Sequence, residues 1–481
     1  MPVQRTGLLV LALAAVAALV PCTAGAASLP AGKAPRPGPK LLYLERPPVA
    51  PQLTNSKPWR AKPILVSGTT SYRRAEFVYQ DFLYDDSGAR LTVDPADPRT
   101  AGNTFSKQNG TYTYPTDEAY GYNAADLVEF RVRTLRRATA FRVTLNTLKD
   151  PSLVAFAVAL GGTEGEPHEF PFGANVSAPA DYFLTVHPDG EGMVGNLTTA
   201  SGDEKTTFPA RVDRRRRQIE VRVPRTAWDP AREAVRMAAG VGLWDAESGA
   251  YLLPAESASA DTPGGAAGAS EPAAFFNVAF RTDEPFPAPT DNAEAIINAA
   301  WWRERTQGTA LAAGDISELF ATVDFDKLAR RVRDDSAVPK TGPMNRIYSS
   351  RYELSQGADF SVSCFPGDAA TCPGQYQGRL QPYAIYIPEK PMPARGYGLT
   401  LLLHSLSANY NQYLGTRNQS QFGERGAGSI VITPESRGPD EFYENYGAAD
   451  VYDVWSDVAS RYKLDPGWTV ATGYSMGAIG S

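Results

Sequence analysis

Histidine and cysteine are scarce: 481 residues hold only three of each. With so few, a cysteine–histidine metal site lacks a full set of ligands, and no cofactor or metal is expected. Long apolar runs are almost absent too. The one candidate, Leu8 to Val20, is too short to span a bilayer, and no later segment is apolar enough to cross a membrane. Excess charge of either sign is also missing. The balance of 47 basic and 53 acidic residues leaves a net charge of −6, so the protein as a whole is not built to bind polyanions, and no nucleic-acid partner is expected. The one dense basic stretch is "DRRRRQIEVRV", with Arg214 to Arg217. It reads either as an anionic-polymer patch or, more plainly, as a solvated hairpin tip leading into an alternating strand. What remains is an ordinary globular composition, 43% apolar and 21% charged, in a chain long enough for two or three domains.

The N-terminus has the form of a secretory signal over residues 1–27. Basic Arg5 precedes the apolar run, and small residues Ala24, Gly25 and Ala26 follow it. The expected location is therefore secreted or extracytoplasmic. Cys22 raises a lipoprotein anchor as an alternative, although Pro21 sits badly before a lipidated cysteine. Cleavage near Ala26 or Ala27 leaves Cys364 and Cys372, which enclose a short loop in "CFPGDAATC". Outside the cytoplasm such a pair is expected to form a disulfide. Residues 28–62 are rich in Pro, Lys and Arg and read as an extended linker.

From residue 63 to 286, about nine short alternating segments are separated by Gly, Asp, Asn or Pro, with no long helix between them. They predict an antiparallel β-sandwich. The stretch "DFLYDDSGA", followed by "NGTYTYPTDEAYGYNAADLVEFRV", resembles the C-terminal binding module of glucodextranase-type enzymes, a sandwich related to the DOMON group. That resemblance implies a polysaccharide or cell-envelope ligand. Tyr112, Tyr114, Tyr120 and Tyr122 could stack on sugar rings or fill the core. Asp81, Asp85 and Asp86 could bind calcium or stabilise turns, and no metal is assigned to them. Residues 287–340 show helical periodicity and read as a connector anchored by Trp301 and Trp302.

The segment 341–481 carries the chemistry. "YAIYIP", "GLTLLLHSLSAN", "GSIVITPESRG" and "GWTVATGYSMGA" begin as continuous apolar runs, and "ADVYDVWSDVASRYKLDP" is helical with Val451, Val454, Trp455, Val458 and Tyr462 on one face. Asp450 would cap that helix. Such alternation predicts a mostly parallel sheet with flanking helices. Gly473-Tyr474-Ser475-Met476-Gly477 has the form of a nucleophile at a strand-to-helix corner. As a set these motifs resemble the α/β-hydrolase family of secreted esterases and prolyl-oligopeptidase-like peptidases. The resemblance implies Ser475 as nucleophile, the N–H groups of Met476 and Leu406 as oxyanion donors, and Gly473 and Gly477 as the glycines that let the corner close. Ser405 stands where the family has glycine. The family order is serine, acid, histidine, so none of His168, His187 and His404 fits as the base. The expectation is a fragment, inactive as given, that ends before its acid and histidine. The fold class expected is multidomain, an antiparallel β-sandwich plus an incomplete α/β-hydrolase. The function expected is a secreted serine hydrolase acting on an ester or peptide substrate. The alternative is a carbohydrate- or cell-envelope-binding protein with a non-catalytic second domain.

Overall fold

The computed structural model describes residues 47–86, 112–162, 165–202, 204–266, 268–282, 305–359, 375–406, 408–438 and 441–481. Alternating segments turn one face inward, and the first module is made of them. Its strands begin with β1 (Thr69–Arg73), β2 (Glu76–Gln80), β3 (Leu127–Thr134), β4 (Ala138–Leu145), β5 (Val154–Leu160) and β6 (Tyr182–Asp189). They continue with β7 (Gly192–Thr199), β8 (Glu204–Asp213), β9 (Gln218–Pro224), β10 (Ala234–Asp245), β11 (Ala250–Tyr251), β12 (Phe275–Val278) and β13 (Ala321–Asp324). These form one 13-stranded sheet in the order β1-β2-β3-β4-β9-β8-β7-β6-β5-β10-β11, with β12 and β13 also on β10. Its strand pairings are antiparallel.

The expected antiparallel β-sandwich takes the form of one curled half-barrel sheet. The bend lies in β8, whose Glu204–Pro209 stretch pairs with β7 and whose Ala210–Asp213 stretch pairs with β9. One apolar cluster takes Phe77, Phe130 and Phe141 from one half and Phe156, Leu184 and Leu197 from the other, each no more than 2% exposed. Two further expectations change. Residues 47–62, read as linker, are docked on this sheet: Trp59 Nε1 donates to Glu220 at 2.7 Å, and the Arg60 and Ala61 amides donate to Glu76 at 2.6 and 3.2 Å. The segment read as a helical connector contains β13 between two short helices, α1 (Arg305–Ala312) and α2 (Phe325–Arg330). Trp301 and Trp302 lie outside the described residues, as do residues 1–27 and the Cys364–Cys372 loop.

The second sheet runs β14 (Gly342–Ser349), β15 (Leu380–Ile387), β16 (Tyr397–Leu403), β17 (Ser429–Pro434) and β18 (Leu464–Gly473), in the order β14-β15-β17-β16-β18. Helices α3 (Arg417–Glu424) and α4 (Asn445–Arg461) pack against it, and α5 (Met476–Gly480) follows β18. This sheet is not mostly parallel: β16 pairs parallel with β17 and β18, whereas β15 pairs antiparallel with both β14 and β17. Among the described residues strand stands at 38% against helix at 14%, so the fold is mostly β rather than α/β. The sequence reading failed because a continuous apolar run reports burial of both faces, not strand direction. All eight residues of β15 are buried although both its neighbours run against it. One of its covers is the first module itself, since Phe82 packs in one cluster with Ala384, Tyr410 and Leu414. Tyr84 adds a stacked contact on Tyr376 at 3.8 Å between ring centroids.

Candidate functional site

The corner around Ser475 is set by register. β16 and β18 run parallel with Leu403 opposite Gly473, so the loops leaving both strands emerge at the same end of the sheet. Ser475 then takes φ 52° and ψ −118°, a conformation that is strained for any residue with a Cβ. Its side chain is exposed and makes no capping hydrogen bond to α5. Glycine is required on both sides of it. A Cβ on Gly473 would lie 2.7 Å from the Leu403 carbonyl oxygen, and one on Gly477 would lie 2.1 Å from the same atom. Met476, buried at 1% exposure, opens α5, so its N–H is among those no intrahelical carbonyl can reach.

The loop after β16 is held by side chains that the sequence did not single out. Gln412 clamps Ser405 from two directions: its Oε1 accepts from the Ser405 amide at 2.7 Å, and its Nε2 donates to Ser405 Oγ at 2.9 Å. Ser405 thus has a built partner. Leu406 follows, half-buried against the core of the second sheet. The Tyr443 hydroxyl donates to the His404 carbonyl at 2.9 Å, and its ring underlies Gly480. Burial pushes the Tyr413 phenol up to about 12, so it stays protonated at neutral pH.

His404 is completely buried, and its two ring nitrogens lie 3.0 Å from the carbonyls of Ser405 and Glu435. Burial lowers its pKa, against the opposing pull of those carbonyls. The neutral ring has one N–H to donate to one of these carbonyls; completely buried between them, it shapes the loop, whereas Ser475 is exposed. His168 lies in a short two-stranded ladder with Ala178. His187 stacks on Trp244 at 4.5 Å. Both belong to the first module. Asp450, expected as a helix cap, is instead buried inside α4 and paired with buried Arg437. Arg437 also donates to the carbonyls of Tyr376 and Gly378 at 3.0 and 2.9 Å, so the "ESRG" arginine is structural.

In the first module, Tyr112, Tyr114 and Tyr120 are 6–7% exposed and belong to the main core, with Tyr122 packed against it. They fill the fold and offer no stacking platform. Asp81, Asp85 and Asp86 are buried rather than in solvated turns. Arg281, also buried, binds Asp81 at 2.9 Å and Asp85, and Tyr114 donates to Asp86. Burial pushes Asp86 up to about 7, with the Tyr114 hydrogen bond opposing. Asp81 and Asp85 answer to an arginine, and Asp86 to a tyrosine. Nothing in "AAFFNVAFRT" announces that Arg281 turns inward, because the partner lies about 200 residues away in sequence. The basic run forms the turn between β8 and β9, where Arg216 pairs with Asp213 at 2.7 Å and Arg217 with Glu353 at 2.5 Å. Among the described residues no helix is long and apolar enough to cross a membrane.

Compared with known proteins, residues 106–250 match the family model of the C-terminal binding module, SLH-like, of glucodextranase. The match covers under a third of the chain. No curated protein matches. A bifunctional GH43-CE protein of Bacteroides eggerthii is similar at 11% identity and a TM-score of 0.19, over 88% of this chain. This chain spans only 40% of that protein's length. Neither finding supports the α/β-hydrolase resemblance drawn from residues 341–481.

Proposed function

We propose that this chain is a carbohydrate- or cell-envelope-binding protein acting outside the cytoplasm. The observation that carries this reading is the binding-module match over residues 106–250, which runs from before β3 to the start of β11 on the curled antiparallel sheet. The expected result is retention of the 481-residue chain on insoluble cell-wall material or on cross-linked dextran, with serum albumin passing through both. Passage of the chain through both matrices would sink the reading.

A second reading is favoured by one specific observation, the strained and exposed Ser475. On this reading Ser475 is the nucleophile of an acyl transfer, with the N–H groups of Met476 and Leu406 stabilising the oxyanion; each such donor is worth about 3 kcal/mol of barrier. The base is not His404, which is completely buried between two backbone carbonyls. The 481-residue chain is therefore expected to hydrolyse p-nitrophenyl acetate no faster than its Ser475→Ala variant, because the residual contribution of oxyanion contacts is small without a base. A fluorophosphonate probe is expected to label Ser475 of the same chain slowly, since the two oxyanion donors act there without a base. Labelling that survives Ser475→Ala, or none at all, leaves the binding reading alone.

A further inference from the structure

A cleft of about 660 Å³ lies between the β1–β2 hairpin, the docked N-terminal segment and the turn after α2, lined by seven basic side chains and one alanine. The segment at 60–62 supplies Arg60 and Lys62, the hairpin supplies Arg73 and Arg74, and β3 supplies Arg133. Arg331 and Arg333 complete it from beyond α2. Two nearby carboxylates answer part of this charge. Asp335 pairs with Arg73 at 2.5 Å and Arg333 at 2.9 Å. Glu76 pairs with Arg133 at 2.5 Å but is shared with buried Arg131 at 2.8 Å. Arg60, Lys62, Arg74 and Arg331 are exposed, and among the described residues they have no carboxylate partner. Gathering like charges in one concavity opposes folding unless an anion fills it.

Backbone geometry is an independent sign. The register Arg73↔Glu76 closes the hairpin with Arg74 and Ala75 alone, at φ 54° and 62°. A two-residue loop of that kind favours Asn-Gly. Arg331 ends α2 at φ 59°, the position where helices favour glycine. Three lining residues thus hold a left-handed backbone at sites where glycine would relieve the strain. Two of the three are unpaired arginines. Strain kept in place at a cluster of unpaired charges is the pattern of a ligand site.

We propose that this cleft binds an anionic glycan, a polysaccharide bearing carboxylate, phosphate or sulfate groups. Guanidinium forks match such oxyanions with paired hydrogen bonds, and the spread of cations over the cleft fits several charged groups along a polymer. Its lining holds no aromatic ring, so it lacks the platform on which nucleic-acid bases stack. The polysaccharide identity rests on the binding-module reading above; the anion chemistry does not.

The test immobilises polygalacturonate, dextran sulfate, neutral dextran and a short single-stranded oligonucleotide, and measures binding of the 481-residue chain at low and high salt. Binding to polygalacturonate or dextran sulfate is expected to weaken steeply with salt, as charge-mediated binding does. Arg74→Gly and Arg331→Gly should each weaken it by about tenfold, while the thermal midpoint stays level or rises because glycine accepts both positions. No binding to either charged polymer overturns the proposal. So does undiminished binding by both variants, or binding of the oligonucleotide as tight as that of dextran sulfate. Binding to neutral dextran without binding to charged polymers refutes the cleft alone, whereas the earlier reading fails on its own matrices.

Discussion

Arg281→Met is expected to lower the unfolding free energy by about 3–5 kcal/mol, the range for removing one partner of a buried ion pair. Arg281 is fully buried and joins Asp81 and Asp85, both at 0% exposure. Its Nε donates to the Val278 carbonyl at 2.9 Å, and its amide donates to the Tyr79 hydroxyl, which in turn donates to Asp81. Methionine keeps most of the volume, so the loss comes from charge rather than from a cavity. Without the guanidinium, Asp81 is left in a site where burial already raises its pKa. The companion variant isolates the cause. Adding Asp81→Asn and Asp85→Asn to Arg281→Met should recover most of the loss, because a neutral buried cluster has no charge to compensate. Urea denaturation followed by circular dichroism measures both. A drop below about 1 kcal/mol for Arg281→Met, or no recovery in the triple variant, would show that the pair is not what holds this end of the half-barrel.

Gly477→Ala is the second large effect. The added methyl would sit 2.1 Å from the Leu403 carbonyl oxygen, 2.7 Å from its carbon and 2.8 Å from the His404 carbonyl oxygen. All three are backbone atoms of β16 and the loop it enters, so no flexible side chain can give way. The corner must move off the sheet, at about 3 kcal/mol, the upper end for overpacking. Hydrogen exchange should report the loss locally, as lost protection at β16 and β18 with β1 to β10 unchanged. Unchanged exchange at Leu403 and Gly473 would mean that the corner is looser than its contacts imply.

How much of this was legible in advance differs from element to element. The alternating segments of the first module, the turn at Arg214–Arg217 and the amphipathic helix through Val451, Val454, Trp455 and Val458 follow from local period and turn chemistry. So does the strand-to-helix corner at Ser475, because the spacing of Gly473 and Gly477 encodes a backbone crossing. Strand direction in the second sheet was not legible, since "YAIYIP" is as apolar between antiparallel neighbours as it would be between parallel ones. Asp450 looked like a cap because its role depends on Arg437, in another loop. Asp81 and Asp85 looked like turn residues because Arg281 comes so much later in the chain, and Asp86 because its partner Tyr114 lies 28 residues on.

Local chemistry therefore belongs to the sequence: which segments become strands, where the chain turns, and which serine stands at a corner. Tertiary structure alone decided where charge accumulates. The basic run that stands out in the sequence is tied down by Asp213 and Glu353, whereas the cleft draws its cations from positions between 60 and 333 that are unremarkable one by one. Turns and periods depend on neighbours along the chain. Electrostatic fields and burial depend on distance through space, which only the folded chain sets.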